Sequence, residues 1–247
     1  MTEALFLLDC YLKEFEATVD SVKDDKYVVL DKTAFYPNAG GQPYDTGKMI
    51  AEDGTEYSVV YVAKFGDMIS HEVDMDGKPV LKPGDKVKGV IDWDRRYRLM
   101  RMHTAAHVIS IIIEKDANAL ITGNQLGLDK SRIDFNLEDF DRGKFAEYMD
   151  KANELIKKGA KVNLYLMPRE EALQRYERLT NLAKGFSDDI KEIRLVEIEG
   201  VTIEACGGTH LKDISEIKGV KLLKLDNKGK NNRRLYYELV DEEKNKS

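Results

Sequence analysis

The sequence predicts an α+β protein: a small β-barrel-like domain over residues 1–92, then a mixed α/β domain over residues 93–247. Three observations carry this expectation. Short β-prone runs separated by turn signals fill the first third of the chain. Residues 94–116 then contain neither Gly nor Pro, and apolar side chains recur there at spacings of three and four. Beyond that stretch, helical and strand-like patterns mix, as they do when helices pack on a sheet.

Taken in order, Phe6-Leu7-Leu8, Thr18-Val19 and Tyr27–Leu30 read as strands, with a hairpin turn over Lys23–Lys26. Lys48–Ile50 and Tyr57–Val62 flank a second turn, Glu52–Thr55. Asp76–Pro79 and Lys82–Asp85 are further turns before a strand at Val87–Ile91. Asp92 and Asp94 are candidate caps for the long helix, whose Leu99, Met102, Ala106, Ile109 and Ile113 share one face. Arg132–Phe135 reads as a strand, Arg142–Lys158 as an amphipathic helix and Val162–Leu166 as a strand. Pro168–Ala183 reads as a helix opened by proline. Ile193–Ile198, Val201–Glu204, Val220–Leu225 and Arg234–Val240 close the domain as strands, and Asp241–Ser247 reads as a frayed tail.

With 247 residues, 42% of them hydrophobic, the chain can bury a core, so disorder as the main state is excluded. No apolar run approaches the ~20 residues of a membrane-spanning helix, and the first residues lack the pattern of a secretory signal. Two cysteines, Cys10 and Cys206, make no disulfide framework and fit a reducing, cytoplasmic setting. The net charge of −6 means that contact with nucleic acid must use local basic patches.

Of four histidines, two lie one helical turn apart in His103-Thr104-Ala105-Ala106-His107, and a third ends Cys206-Gly207-Gly208-Thr209-His210. The helical spacing puts His103 and His107 on one face. The paired glycines allow a loop on which Cys206 and His210 converge. Imidazole and thiolate together favour one zinc ion. A gap of about 100 residues between the pairs argues against a zinc finger, whose ligands stay local because the metal replaces a small core. Thr104 occupies the place where a zinc protease carries its glutamate base, so peptide hydrolysis is disfavoured.

These two motifs resemble those of the editing domain of alanyl-tRNA synthetase and of its free-standing AlaX relatives. Ala34-Phe35-Tyr36-Pro37-Asn38-Ala39-Gly40-Gly41-Gln42-Pro43, followed by Asp45 and Gly47, resembles the glycine-rich segment of the two-domain AlaX form. Thr122-Gly123 and Arg132–Phe135 sit where that family has its pocket strands. The resemblance implies an editing domain over residues 93–247, with the long helix carrying two of the zinc ligands. It further implies hydrolysis of the ester joining serine, in some cases glycine, to tRNA(Ala), as a second sieve after aminoacylation. His103, His107, Cys206 and His210 would be the zinc ligands. Zinc would act as Lewis acid or template, with an associated water as nucleophile and no side chain assigned as base. Thr122 and Gln125 are candidate contacts to the serine hydroxyl, and Gly40, Gly41 and Gln42 candidate contacts to the substrate. The glycine-rich segment lacks the Gly-Lys-Ser/Thr ending of a triphosphate loop, so no nucleotide cofactor is expected.

Two basic clusters could grip tRNA phosphates. Arg95 and Arg96, with Arg98 and Arg101, lead into the long helix. Residues 212–234 carry eight basic against three acidic side chains, among them Lys228, Lys230, Arg233 and Arg234. Two alternatives stay open at this level: a non-catalytic zinc module that binds RNA, and a zinc hydrolase of a small ester or amide.

Overall fold

The computed structural model describes residues 1–138, 141–176 and 191–240. The chain forms two compact units, Met1–Met100 and Arg101–Ser247. The architecture is mixed α+β, as the sequence predicts.

The first unit contains β1 (Glu3–Ala4), β2 (Glu14–Lys23), β3 (Tyr27–Leu30), β4 (Lys32–Thr33), β5 (Gly47–Ala51), β6 (Glu56–Phe65), β7 (Met68–Asp74) and β8 (Lys86–Ile91). Six of these close an antiparallel barrel in the order β2-β3-β7-β6-β5-β8. Closure leaves no barrel strand with an unpaired edge. Phe15, Ala17 and Val19 of β2 alternate inward, as do Val87 and Ile91 of β8. Between the last two lies Gly89, and a side chain there would meet the Phe15 ring at 2.3 Å. The glycine is therefore a space requirement of the barrel core.

Phe6-Leu7-Leu8 is not a strand. Leu5–Leu7 forms one 3-10 turn in which only Phe6 is buried, and the amides of Leu8 and Asp9 both donate to the Leu5 carbonyl. β7 gives little sequence signal because His71 occupies one of its inward positions, between Ile69 and Val73, and breaks the apolar alternation. The glycine-rich segment closes as a tight turn. Ala39 and Gln42 exchange backbone hydrogen bonds, while Gly40 (φ 56°) and Gly41 (φ 81°) occupy the two left-handed positions between them.

α1 (Trp93–Ala117) begins in the first unit and runs into the second. Asp92 Oδ1 accepts from the Arg95 amide and caps its start. Every side chain from Leu99 to Ile111 is buried, so the single apolar face expected from periodicity is in fact a helix enclosed on all sides.

The second unit continues with β9 (Ile121–Gln125), β10 (Ser131–Phe135), α2 (Arg142–Lys158), β11 (Val162–Pro168), α3 (Arg169–Arg175), β12 (Glu192–Ile198), β13 (Thr202–Ala205), β14 (Val220–Asn227) and β15 (Arg233–Leu239). They form a four-stranded sheet, β14-β15-β10-β9, and a three-stranded one, β11-β12-β13. β15 alternates cleanly, with Leu235, Tyr237 and Leu239 inward. Tyr237 Oη donates to the Met102 carbonyl at 2.7 Å, and Ser131 Oγ lies 3.3 Å from Met102 Sδ. These contacts anchor the helical turn that carries His103. α2 packs on β14 and is capped by Asp141, whose carboxylate accepts from the amides of Gly143 and Lys144. Of the helix expected over Pro168–Ala183, Arg169–Arg175 is helical, and residues 177–183 lie outside the described residues, as does the tail 241–247.

Candidate metal centre

His103 and His107 project from one face of α1, with ring centroids 5.3 Å apart. Cys206 follows directly on β13, and the chain then turns through Gly207 and Gly208 to His210. The ring of His210 lies 4.4 Å from that of His103 and 4.8 Å from that of His107. Cys206 Sγ is 3.4 Å from His103 Nε2 and 3.3 Å from His210 Nε2. One donor atom from each of the four residues falls within 4.8 Å of the other three. The three histidines are buried, whereas Cys206 is half-buried and Gly207 exposed, so the cluster opens toward that turn.

The turn is not shaped by glycine freedom, contrary to the sequence expectation, because neither Gly207 nor Gly208 has a positive φ. It is clamped from β12. The buried Arg194 donates through Nη1 to the Cys206 carbonyl at 2.6 Å and to the Gly208 carbonyl at 2.8 Å, and the Cys206 amide returns to the Arg194 carbonyl. The Gly208 amide in turn donates to Cys206 Sγ at 3.4 Å. Thr104 Oγ1 accepts from the Leu211 amide at 3.1 Å and lies 3.2 Å from His210 Nδ1. Glu204 Oε2 stands 2.8 Å from His107 Nδ1, an ion-pair distance, with the ring N–H pointing off the line to that oxygen.

Burial alone would push the Cys206 thiol up, but the adjacent His103 and His210 hold it well below its ordinary range. Burial also opposes charge on His107, yet the Glu204 carboxylate and the Cys206 sulfur outweigh it and raise the ring to about 10. Burial and the neighbouring His103 push His210 well down. Thiolate and neutral imidazole are the ligand forms of these side chains. Zinc at about 2.3 Å from sulfur and 2.0 Å from nitrogen sets neighbouring ligands roughly 3.3–3.6 Å apart. The two sulfur–nitrogen separations fall in that range. The donor atoms of all four lie within 4.8 Å of one another, so the four residues could hold a metal ion by drawing in around it.

The other expected site residues are dispersed. Thr122 is exposed on the edge strand β9, at the bulge where its register against β10 shifts. Gln125, also exposed, accepts from Arg132 Nε and lines a cavity of about 200 Å³ whose walls include none of the four clustered residues. Gly40 and Gly41 are exposed, but Gln42 is fully buried. Arg95 donates to the Tyr44 carbonyl and lies over its ring.

Arg96 does not present its charge to solvent. It is fully buried, pairs with the equally buried Asp45, and donates to the carbonyls of Cys10 and Ala34. Arg233 is buried too, and its donors go to Asn227 Oδ1 and to the carbonyls of Gly229, Lys230, Asn232 and Glu138, which hold the β14–β15 turn. Arg234 forks onto Asp134 at 2.7 and 2.8 Å. Lys228 pairs loosely with Asp226, and Lys230 is exposed. Sequence reasoning missed Arg194 and Glu204. An arginine among the apolar residues of β12, and a glutamate two residues before Cys206 and so on the same strand face, were the available signals.

Fold and site together define a two-unit protein with a barrel and a buried three-histidine, one-cysteine centre able to hold a metal ion. Residues 3–95 match the family model for tRNA synthetases class II (A), and residues 193–236 match that for the threonyl and alanyl tRNA synthetase second additional domain. Alanyl-tRNA editing protein AlaX-M of Methanosarcina barkeri is 68% identical, over 98% of this chain and all of the relative. The AlaX-M of Saccharolobus solfataricus is 44% identical over 96% of this chain and 98% of its own length. Alanine–tRNA ligase of Ignicoccus hospitalis is 40% identical over 90% of this chain, which corresponds to 24% of that ligase. This chain belongs to the AlaX-M family of alanyl-tRNA editing proteins.

Proposed function

We propose that this chain is a zinc-dependent deacylase that hydrolyses the ester of Ser-tRNA(Ala), and of Gly-tRNA(Ala), while sparing Ala-tRNA(Ala). The observation that supports it is the convergence of His103, His107, Cys206 and His210 in a chain of the AlaX-M family. A zinc ion held by these residues would serve as Lewis acid or template for the ester, with an associated water as nucleophile. Residues 93–247 form the editing domain in this reading, and residues 1–92 the accompanying barrel domain.

The chain's own residues supply position and charge. Arg194 holds the Cys206–Gly208 turn, which keeps the thiolate turned toward the histidines. The half-buried Cys206 and the exposed Gly207 mark the side from which the acceptor end approaches. Thr122 and Gln125 supply polar atoms for a serine hydroxyl, and the exposed Gly40–Gly41 turn offers backbone amides to the substrate. Both side chains are exposed in the free chain, so they would discriminate against an alanyl group only by being closed off from water by the bound substrate. Exposed Lys228 and Lys230, with Arg95, supply cations for the tRNA backbone, whereas Arg234 is paired with Asp134, and Arg96, Arg233 and Gln42 are committed inside the fold.

The deciding experiment compares release of serine, glycine and alanine from charged tRNA(Ala), with and without chelator and with His103→Ala. Selective serine release that chelator abolishes and zinc restores is expected. Tight tRNA binding without turnover would reassign the chain as a binding module. Full activity on a minimal serine ester, without gain from tRNA, would make it a small-ester hydrolase.

A further inference from the structure

An imidazole has two ring nitrogens, and only one can face an ion. In this cluster the remaining nitrogens of two histidines meet side chains that are not ligands. His210 turns Nε2 toward Cys206 Sγ, while its Nδ1 lies 3.2 Å from Thr104 Oγ1. The Thr104 hydroxyl is itself held, because its oxygen already accepts from the Leu211 amide at 3.1 Å. A hydroxyl oxygen can accept two hydrogen bonds. The second place on Thr104 suits an Nδ1–H, which leaves the Nε2 lone pair of His210 facing the cluster.

His107 presents the same logic with a carboxylate. Its buried Nδ1 has Glu204 Oε2 at 2.8 Å, within ion-pair reach but out of line for a hydrogen bond, so the support here is the carboxylate's charge rather than an aligned bond. The carboxylate is only 9% exposed, and Thr202 Oγ1 donates to its other oxygen at 3.3 Å. Burying a carboxylate costs free energy unless it is paired. Its placement behind an imidazole matches the outer support of metal-bound histidines, which fixes the tautomer and raises ligand basicity.

We propose that Thr104 and Glu204 are positioning residues of the metal centre: Thr104 sets the nitrogen that His210 presents, and Glu204 the nitrogen that His107 presents. The inference rests on the reading of the four-residue cluster as a metal site. It gives a second role to the residue between the two helical histidines, where a zinc protease would carry its base.

The test measures zinc affinity of the full chain by competition with a chromophoric chelator, and the visible absorption of the cobalt(II)-loaded chain. Thermal unfolding of the metal-free chain is followed in parallel. Glu204→Gln keeps the shape and removes the charge. Thr104→Val keeps the shape and removes the hydroxyl, and Thr104→Ser restores the hydroxyl. Glu204→Gln and Thr104→Val should each weaken zinc binding about 10- to 100-fold and alter the cobalt bands, beyond what each variant costs the metal-free chain through its lost contact to His107 or to the Leu211 amide. Thr104→Ser should return to wild-type affinity. Affinities within twofold of wild type overturn the proposal. So do cobalt bands identical to wild type, or weakened binding that Thr104→Ser fails to rescue. A wild-type chain that takes up neither zinc nor cobalt instead overturns the metal-site reading itself.

Discussion

Within the barrel core, His71 sits between the Val28 carbonyl, 2.9 Å from Nδ1, and Thr33 Oγ1, 2.9 Å from Nε2. The carbonyl can only accept, so Nδ1 carries a proton. Burial pushes its pKa down from 6.5 to about 4, against the smaller upward pull of the Val28 carbonyl. The folded state therefore binds fewer protons than the unfolded state between these values. The stabilisation is complete above about pH 6.5, declines as the pH falls, and is lost below about pH 4, amounting to about 3 kcal/mol over the window. Urea unfolding of wild type and His71→Asn at pH 7, 5.5 and 4 checks this. The variant should show a correspondingly flatter acid limb, and parallel limbs would refute it.

Arg96 and Asp45 teach a related lesson. Four arginines near the start of one helix look like a phosphate grip in sequence. One of them is instead the buried partner of an aspartate 51 positions away, and a charge so placed must be paired. Nothing local to Arg96 distinguishes it from Arg95, because the distinction is made by Asp45.

At the level of elements, α2 is the part that local chemistry specifies best. Its bounds, Arg142–Lys158, coincide with the sequence expectation because both ends are signalled locally. Asp141 caps the start, two lysines occupy the last turn, and Gly159 takes a positive φ of 76° just beyond. Asp141→Ala should lower global stability by about 1 kcal/mol, read as a shift of the denaturation midpoint at constant slope. A shift below a few tenths would show that the cap is redundant. The 3-10 turn at Leu5–Leu7 and strand β7 were less legible. Three apolar residues in a row fit several structures, and a buried histidine disguises a strand. The conversion of α1 from the expected one-sided helix to an enclosed one belongs here too. His103, Thr104, His107 and Ser110 lie among apolar neighbours, and burial on every face leaves no polar stripe to read.

Across the whole molecule, a net charge of −6 leaves tRNA binding to local fields. The β14–β15 turn projects Lys228 and Lys230, while Arg233 holds the turn from inside. Lys228→Ala with Lys230→Ala should lower the slope of log affinity against log salt by about 2, with the deacylation rate of bound substrate unchanged. An unchanged slope would remove this turn from the contact. An ion held in the four-residue cluster would also matter globally, since an ion bound only by the folded chain stabilises it by mass action. Chelator should lower the unfolding temperature of wild type and leave Cys206→Ser unmoved, and equal shifts in both would place the ion elsewhere.

By itself the sequence determined which four side chains converge in one cluster. A His-x₃-His pair and a Cys-x₃-His pair are legible because metal ligation tolerates few residue types and spacings. It also determined the barrel-then-α/β order, through period-two runs that give way to a long stretch without glycine or proline. Only the tertiary structure decided what surrounds those residues. Arg194, Glu204 and Thr104 gain their contacts, and Arg96 and Arg233 lose their solvent, through strands and helices brought together from distant parts of the chain. Burial and partnership are properties of such encounters, and no local pattern records them.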